Sequence, residues 1–324
     1  MTTEPEADGT VLPADPPIHA EAEASVIRNI FIGPDGVRAG WRLLMFVAIF
    51  AALSYAIIQR AYRLIPVFVK IAKQAQTGGI LTPEFSLIFE GTILAIALLT
   101  TWIMGRIEKR PFGTYGIPLQ GAFGKLFWQG AVWGLGFETV EILAIYAFGG
   151  YSFGTFALAG PALVKYAIEW AIAFVLVGLF EESLFRGYPQ YTLGSGIGFW
   201  PAAFVLSGLF GATHLSNPGE GWVGALSVFA FGIFGCFALR RTGNLWFIIG
   251  FHAGADYAET FIYSTPDSGL LAQGHLMNSS FHGPRWVTGG TIGPEGSVFV
   301  FVVFILCFAL FNWAYPAKRG DQTV

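Results

Sequence analysis

Phe180-Glu181-Glu182-Ser183-Leu184-Phe185-Arg186 closes a run of sequence that is otherwise apolar from Tyr166 onward, and its three charges decide how the whole chain reads. An ionised side chain at the centre of a bilayer costs about 2.5–3.5 kcal/mol on insertion scales. A membrane helix that keeps three of them in six residues is read as carrying a site. On a helix Glu182 and Arg186 are i,i+4 neighbours and can pair, whereas Glu181 is turned about 100° away and stays free for another partner. One acid is structural and the other is available.

The run belongs to a chain built for lipid. Of 324 residues 54% are hydrophobic and 12% charged, with a mean hydropathy of +0.59; soluble domains carry about 25% charged residues. Apolar stretches near the roughly 20 residues needed to cross the hydrocarbon core fall at 41–59, 85–105, 126–148, 164–185, 198–216, 222–239, 244–263 and 296–315. The expected fold is all-α, a polytopic membrane protein of about eight transmembrane helices around an intramembrane polar cavity. Residues 28–319 form the membrane domain, with its motif core at 160–262, and the acidic, Pro- and Ala-rich residues 1–27 read as a disordered tail. Leu64 to Ala72, with Pro66 and Lys70, reads as an amphipathic piece at the interface. Trp41, Trp102, Trp200, Trp222, Trp246 and Trp313 stand near expected span ends, in the zone that indole rings favour.

With these spans, twelve of the 18 Lys and Arg lie on one side and six on the other. By the positive-inside rule both termini are cytoplasmic, in a multi-pass protein of the plasma (inner) membrane. A net charge of −3 without a basic cluster points away from nucleic acid. Cys236 and Cys307 sit in apolar runs and imply no disulfide. Residues 264–296 are rich in glycine and form a long outer loop, of a length that is commonly functional or mobile.

Two further signals join the Glu-Glu pair. Phe210-Gly211-Ala212-Thr213-His214 ends the fifth expected span, and His252-Ala253-Gly254-Ala255-Asp256 lies in the seventh, its His and Asp again on one helical face. The small residues between them let helices approach closely. Cleaving an amide inside a membrane needs water, a base to activate it and a donor for the oxyanion, and these side chains can supply all three. Glu90, Glu138, Glu141 and Glu169 also fall in or near spans but lack motif partners, and are expected to be structural or cavity-lining.

Glu-Glu-x-x-x-Arg, Phe-x-x-x-His and His-x-x-x-Asp on successive membrane helices resemble the CPBP family of intramembrane proteases, which includes the type II CAAX prenyl endopeptidases and bacteriocin-processing or self-immunity proteins. The resemblance covers about 160–262, with Arg110-Pro111-Phe112 to Gly116 as a weaker upstream echo. It implies an endopeptidase acting on a membrane protein or lipidated peptide in the bilayer, with no cofactor. Glu181 would be the general base and His214 its partner in holding the water, Glu182 and Arg186 would support the site, and His252 with residue 256 would stabilise the oxyanion. The family often has Asn at that last position. Asp256, if ionised, would repel an oxyanion, so its preferred reading is to orient His252 and hold it charged.

Three rivals stand beside this reading. His214, His252 and Glu181 could instead ligate zinc with an open water position; the polar cluster could be structural in a membrane scaffold or immunity protein; or the acids could form an ion path in a transporter, although the repeated halves expected there are missing. One geometrical obstacle also arises. If the fourth span ends at Arg186, Glu181 lies about 7 Å from its end while His214 lies about 24 Å from the start of the fifth. They meet only if the fourth helix runs on towards Leu193 or the fifth begins late, after Pro201.

Overall fold

Where the solvent is lipid, backbone N–H and C=O groups must find partners within their own segment, and the apolar runs accordingly fold as helices. The computed structural model describes residues 29–34, 36–64, 80–217 and 219–317; the expected acidic tail and the expected interfacial piece after Leu64 lie outside the described residues. The helices are α1 (Ala39–Leu64), α2 (Pro83–Glu108), α3 (Lys125–Ala147), α4 (Gly160–Arg186), α5 (Tyr188–Ile197), α6 (Phe199–His214), α7 (Trp222–Thr242), α8 (Trp246–Asp256) and α9 (Phe299–Ala314). Proline opens α2, α4 and α5, where its missing N–H costs nothing. Thr82 caps α2 by accepting from Phe85 N at 3.3 Å.

By length and composition α1, α2, α3, α7 and the continuous stretch Gly160–Ile197 can each cross a membrane. The protein is therefore a mostly helical, multi-pass membrane protein. The remaining three expected spans fold as shorter apolar helices, α6, α8 and α9. The stretch Gly160–Ile197 is the alternative raised by the depth obstacle: after a break at Gly187, α5 carries the fourth span on to Ile197. The chain then reverses at Gly198, whose φ of 91° favours glycine.

The tightest seam in the molecule joins α3 and α8. Gly130-x-x-x-Gly134 faces Gly250-x-x-x-Gly254, two matched small-residue patterns of which only Gly254 was singled out in the sequence. A Cβ on Gly130 would sit 1.9 Å from Phe247 O, one on Gly134 2.0 Å from Phe251 O, and one on Gly250 2.0 Å from Phe127 O. The backbones are in direct contact, and the register (130 against 247, 134 against 251) makes the two helices parallel. Continued one turn further, it sets Glu138 and Glu141 of α3 against Asp256 and the segment beyond. Gly134→Ala has no side chain to displace, only backbone, so a loss of about 1–3 kcal/mol or more is expected. A thermal melt in detergent measures it; an unchanged midpoint would contradict the seam.

After Asp256 the helix widens into a π-helical turn, Tyr257–Ile262, and the expected outer loop follows. Short ladders tie that loop down: Ile80–Leu81 pairs with Leu271–Ala272, and Tyr151–Ser152 with Ser280–Phe281. Trp170 Nε1 donates to Gln273 O at 3.0 Å. The loop is packed against the helix ends and brings Asp267 and Glu295 inward. Trp246 opens α8, at the expected span end, and is buried, donating from Nε1 to Pro118 O at 2.9 Å. Cys236 and Cys307 are free and buried, as expected.

Candidate active site

The cavity between α2, α3, α4, α6, α7 and α8 has a volume of about 370 Å³ and is lined by Glu181, His214, His252 and Asp256 together. The continuation into α5 explains why they share one depth. The rings of Phe185 on α4 and Phe210 on α6 are 4.7 Å apart. Glu181 lies one turn before the first and His214 one turn after the second. Because the chain reverses between α4 and α6, both turns run the same way, about 6 Å each.

Glu182 and Arg186 pair as the helical spacing predicts, with Arg186 Nη1 donating to Glu182 Oε1 at 2.6 Å and both side chains inaccessible. The guanidinium lies over the rings of Phe210 (4.8 Å) and Phe231 (5.4 Å) and its Nε donates to Gly232 O at 3.3 Å. It fits because α7 has no Cβ at Gly232 or Gly235, where one would lie 3.0 Å from Nη2 and 2.7 Å from Nε.

His252 is the hub of the site, a role that sequence spacing alone does not disclose. Its Nδ1 donates to Glu182 Oε1 at 2.9 Å, the same oxygen that Arg186 holds. Its Nε2 stands 3.5 Å from Glu181 Oε2 and 3.5 Å from Asp256 Oδ2. These contacts add to the expected arrangement in two ways. Glu181 has an ion-pair contact with His252, on a helix that approaches α4 closely at Gly178, where a Cβ would stand 3.4 Å from His252 Cβ. Glu182, expected only to pair with Arg186, also orients the His252 ring, and more closely than Asp256 does.

His214 faces the cavity without touching Glu181. Its Nδ1 donates to Phe210 O of its own helix at 2.9 Å, so in the neutral ring Nε2 keeps a lone pair. The ligand set of the zinc alternative is not the one that converges most closely. Among the described residues one group of three or more potential ligands converges, with ligand atoms within 4.8 Å of one another, and it is Glu259, Asp267 and Glu295 rather than His214, His252 and Glu181.

Those three acids, with Glu90, Glu138 and Glu141, line the same cavity. The register of α3 against α8 and the tied loop gather them, and no periodicity in the sequence could have done so for Asp267 and Glu295. Burial pushes the carboxyl of Asp267 up from its ordinary value and that of Glu295 well above it.

A buried Arg–Glu–His chain beside a second glutamate and a second histidine, in a helical cavity of a membrane protein, is the kind of intramembrane ionisable cluster that marks a functional site. Residues 163–258 match the family model described as type II CAAX prenyl endopeptidase Rce1-like, and this match supports assigning the chain to the CPBP and CAAX protease family. The match starts within α4 and ends just after Asp256, so it contains Glu181, Glu182, Arg186, His214, His252 and Asp256. No curated protein matches the chain.

Proposed function

We propose that the protein is an intramembrane, glutamate-dependent endopeptidase that hydrolyses a peptide bond of a membrane-associated protein, with a prenylated C-terminal tail as the favoured substrate class. The observation that carries this reading is that Glu181, His214, His252 and Asp256 line one cavity. A water molecule between Glu181 and His214 would meet two acceptors, the Glu181 carboxylate and the His214 Nε2 lone pair. Glu181 takes one proton as the oxygen attacks the scissile carbonyl. His252, framed by Glu181, Glu182 and Asp256, acts as an imidazolium and donates from Nε2 to the oxyanion. Glu181 then returns its proton to the leaving amine, giving one acid and one amine per water consumed. No metal enters the cycle, and both chain ends are read as cytoplasmic in the plasma membrane, on the Lys and Arg bias.

The test is cleavage of a library of membrane peptides, farnesylated tails included, by the purified chain in liposomes. Cleavage that withstands the zinc chelator 1,10-phenanthroline is the expected result; a complete loss on chelation would restore the zinc reading, and no cleavage of any peptide would move it to a scaffold. Asp256→Asn separates the two roles considered for that residue. Because Glu182 already holds the ring at 2.9 Å, the expected loss in kcat is about tenfold or less. A loss comparable to removing a general base, about 10²–10⁴-fold, would make Asp256 a catalytic group.

A further inference from the structure

The same cavity holds eight carboxylates (Glu90, Glu138, Glu141, Glu181, Asp256, Glu259, Asp267 and Glu295), two histidines and no Lys or Arg. The half around Glu181 has its cations in His252 and Arg186. The other half, between α3, the π-helical turn and the outer loop, has none among its lining residues. There Glu259, Asp267 and Glu295 bring one oxygen each to within 4.8 Å of one another.

Independent observations point from this cluster to a ligand. Glu138 and Glu141, 3% and 1% exposed, line the same cavity, and each has an Oε1 with no hydrogen-bond partner. Glu259 is 5% exposed, and its Oε1 is likewise unpartnered. Beside it the backbone packs too closely for any side chain. Gly293 has a φ of 120°, and a Cβ there would stand 2.1 Å from Pro266 O and 3.1 Å from Glu259 Oε1. Asp267 Oδ2 accepts from Thr260 Oγ1 at 3.0 Å and Glu295 Oε1 from Ser268 N at 3.0 Å, so of the three acids Glu259 keeps the unsatisfied oxygen, and a buried carboxylate oxygen without a donor is costly unless a positive charge satisfies it.

We propose that Glu259, Asp267 and Glu295 form a binding site for a hard divalent cation, of which Ca²⁺ fits best. The donors are all oxygen, which selects against softer ions. Ca²⁺ tolerates the irregular arrangement that a loop and a π-turn supply, whereas Mg²⁺ demands near-ideal octahedral geometry. Bound there, the ion ties the outer loop to the end of α8 and balances charge beside the site without contacting Glu181. The inference stands independently of the proposed peptidase activity.

The full chain, purified in detergent and stripped with EGTA, is dialysed against ⁴⁵Ca²⁺ and melted with and without Ca²⁺. One saturable Ca²⁺ per chain is expected, in the range of about 10⁻⁵–10⁻³ M, with a raised melting temperature. Asp267→Asn and Glu295→Gln should each weaken binding at least tenfold, and Glu181→Gln should bind as wild type. Should one variant fail to elute as a folded species, Glu259→Gln and the wild-type melt decide the matter. Absence of saturable binding, undiminished binding in the variants, or equal affinity for Mg²⁺ would overturn the assignment.

Discussion

Glu181→Gln is expected to reduce cleavage by about 10²–10⁴-fold, the contribution usual for a positioned general base, while leaving the melting temperature unchanged. The amide is isosteric and keeps an oxygen towards the cavity, but it cannot take the proton of the attacking water. Glu181 is 22% exposed within the cavity and its one ion-pair contact, to His252, is a long 3.5 Å, so little folding energy rests on it. Purified wild type and variant, assayed on the same farnesylated or membrane-inserted peptide, give the comparison. Undiminished cleavage by the variant would end the mechanism, whereas a matching loss of stability would reassign Glu181 to structure.

Arg186→Ala is expected to act the other way, through the fold. Truncation strands Glu182, whose Oε1 then keeps only the His252 contact, and empties a slot shaped by Gly232 and Gly235 between two phenylalanine rings. Breaking a buried pair on one side typically costs about 3–5 kcal/mol, here with lost packing added. The double variant Glu182→Leu/Arg186→Met tests the cause, since removing both charges should recover stability while activity stays low, His252 having lost its anchor. If the double variant melts as low as the single one, the damage lies in packing rather than in a stranded charge.

The three motifs were legible because each is local: Glu182 and Arg186 four apart, His252 and Asp256 four apart, His214 at the end of an apolar helix. Helical spacing turns such intervals directly into shared faces, and the apolar runs gave the helices to within a few residues. What was not legible depends on how helices meet. Nothing about Glu182 in isolation says that one oxygen serves both Arg186 and His252, and nothing near Glu181 says that its neighbour is His252 rather than His214. The matched glycines at 130, 134, 250 and 254 were a readable signal for the seam between α3 and α8. The carboxylates beyond it were not: Glu138 and Glu141 reach the cavity through that seam, and Asp267 and Glu295 through a loop tied by two-residue ladders.

The pairing of Glu182 with Arg186 also bears on how such a site is made. Both partners lie on α4 one turn apart, so they neutralise each other as soon as that helix forms, before α6, α7 and α8 have been synthesised. At about 2.5–3.5 kcal/mol for each charge near the centre of a helix, an unmatched Glu182 would weigh against handing α4 to the lipid at all. The helix instead enters the bilayer with Glu182 already partnered. His252, arriving four helices later on α8, docks on an oxygen that biogenesis has kept in place.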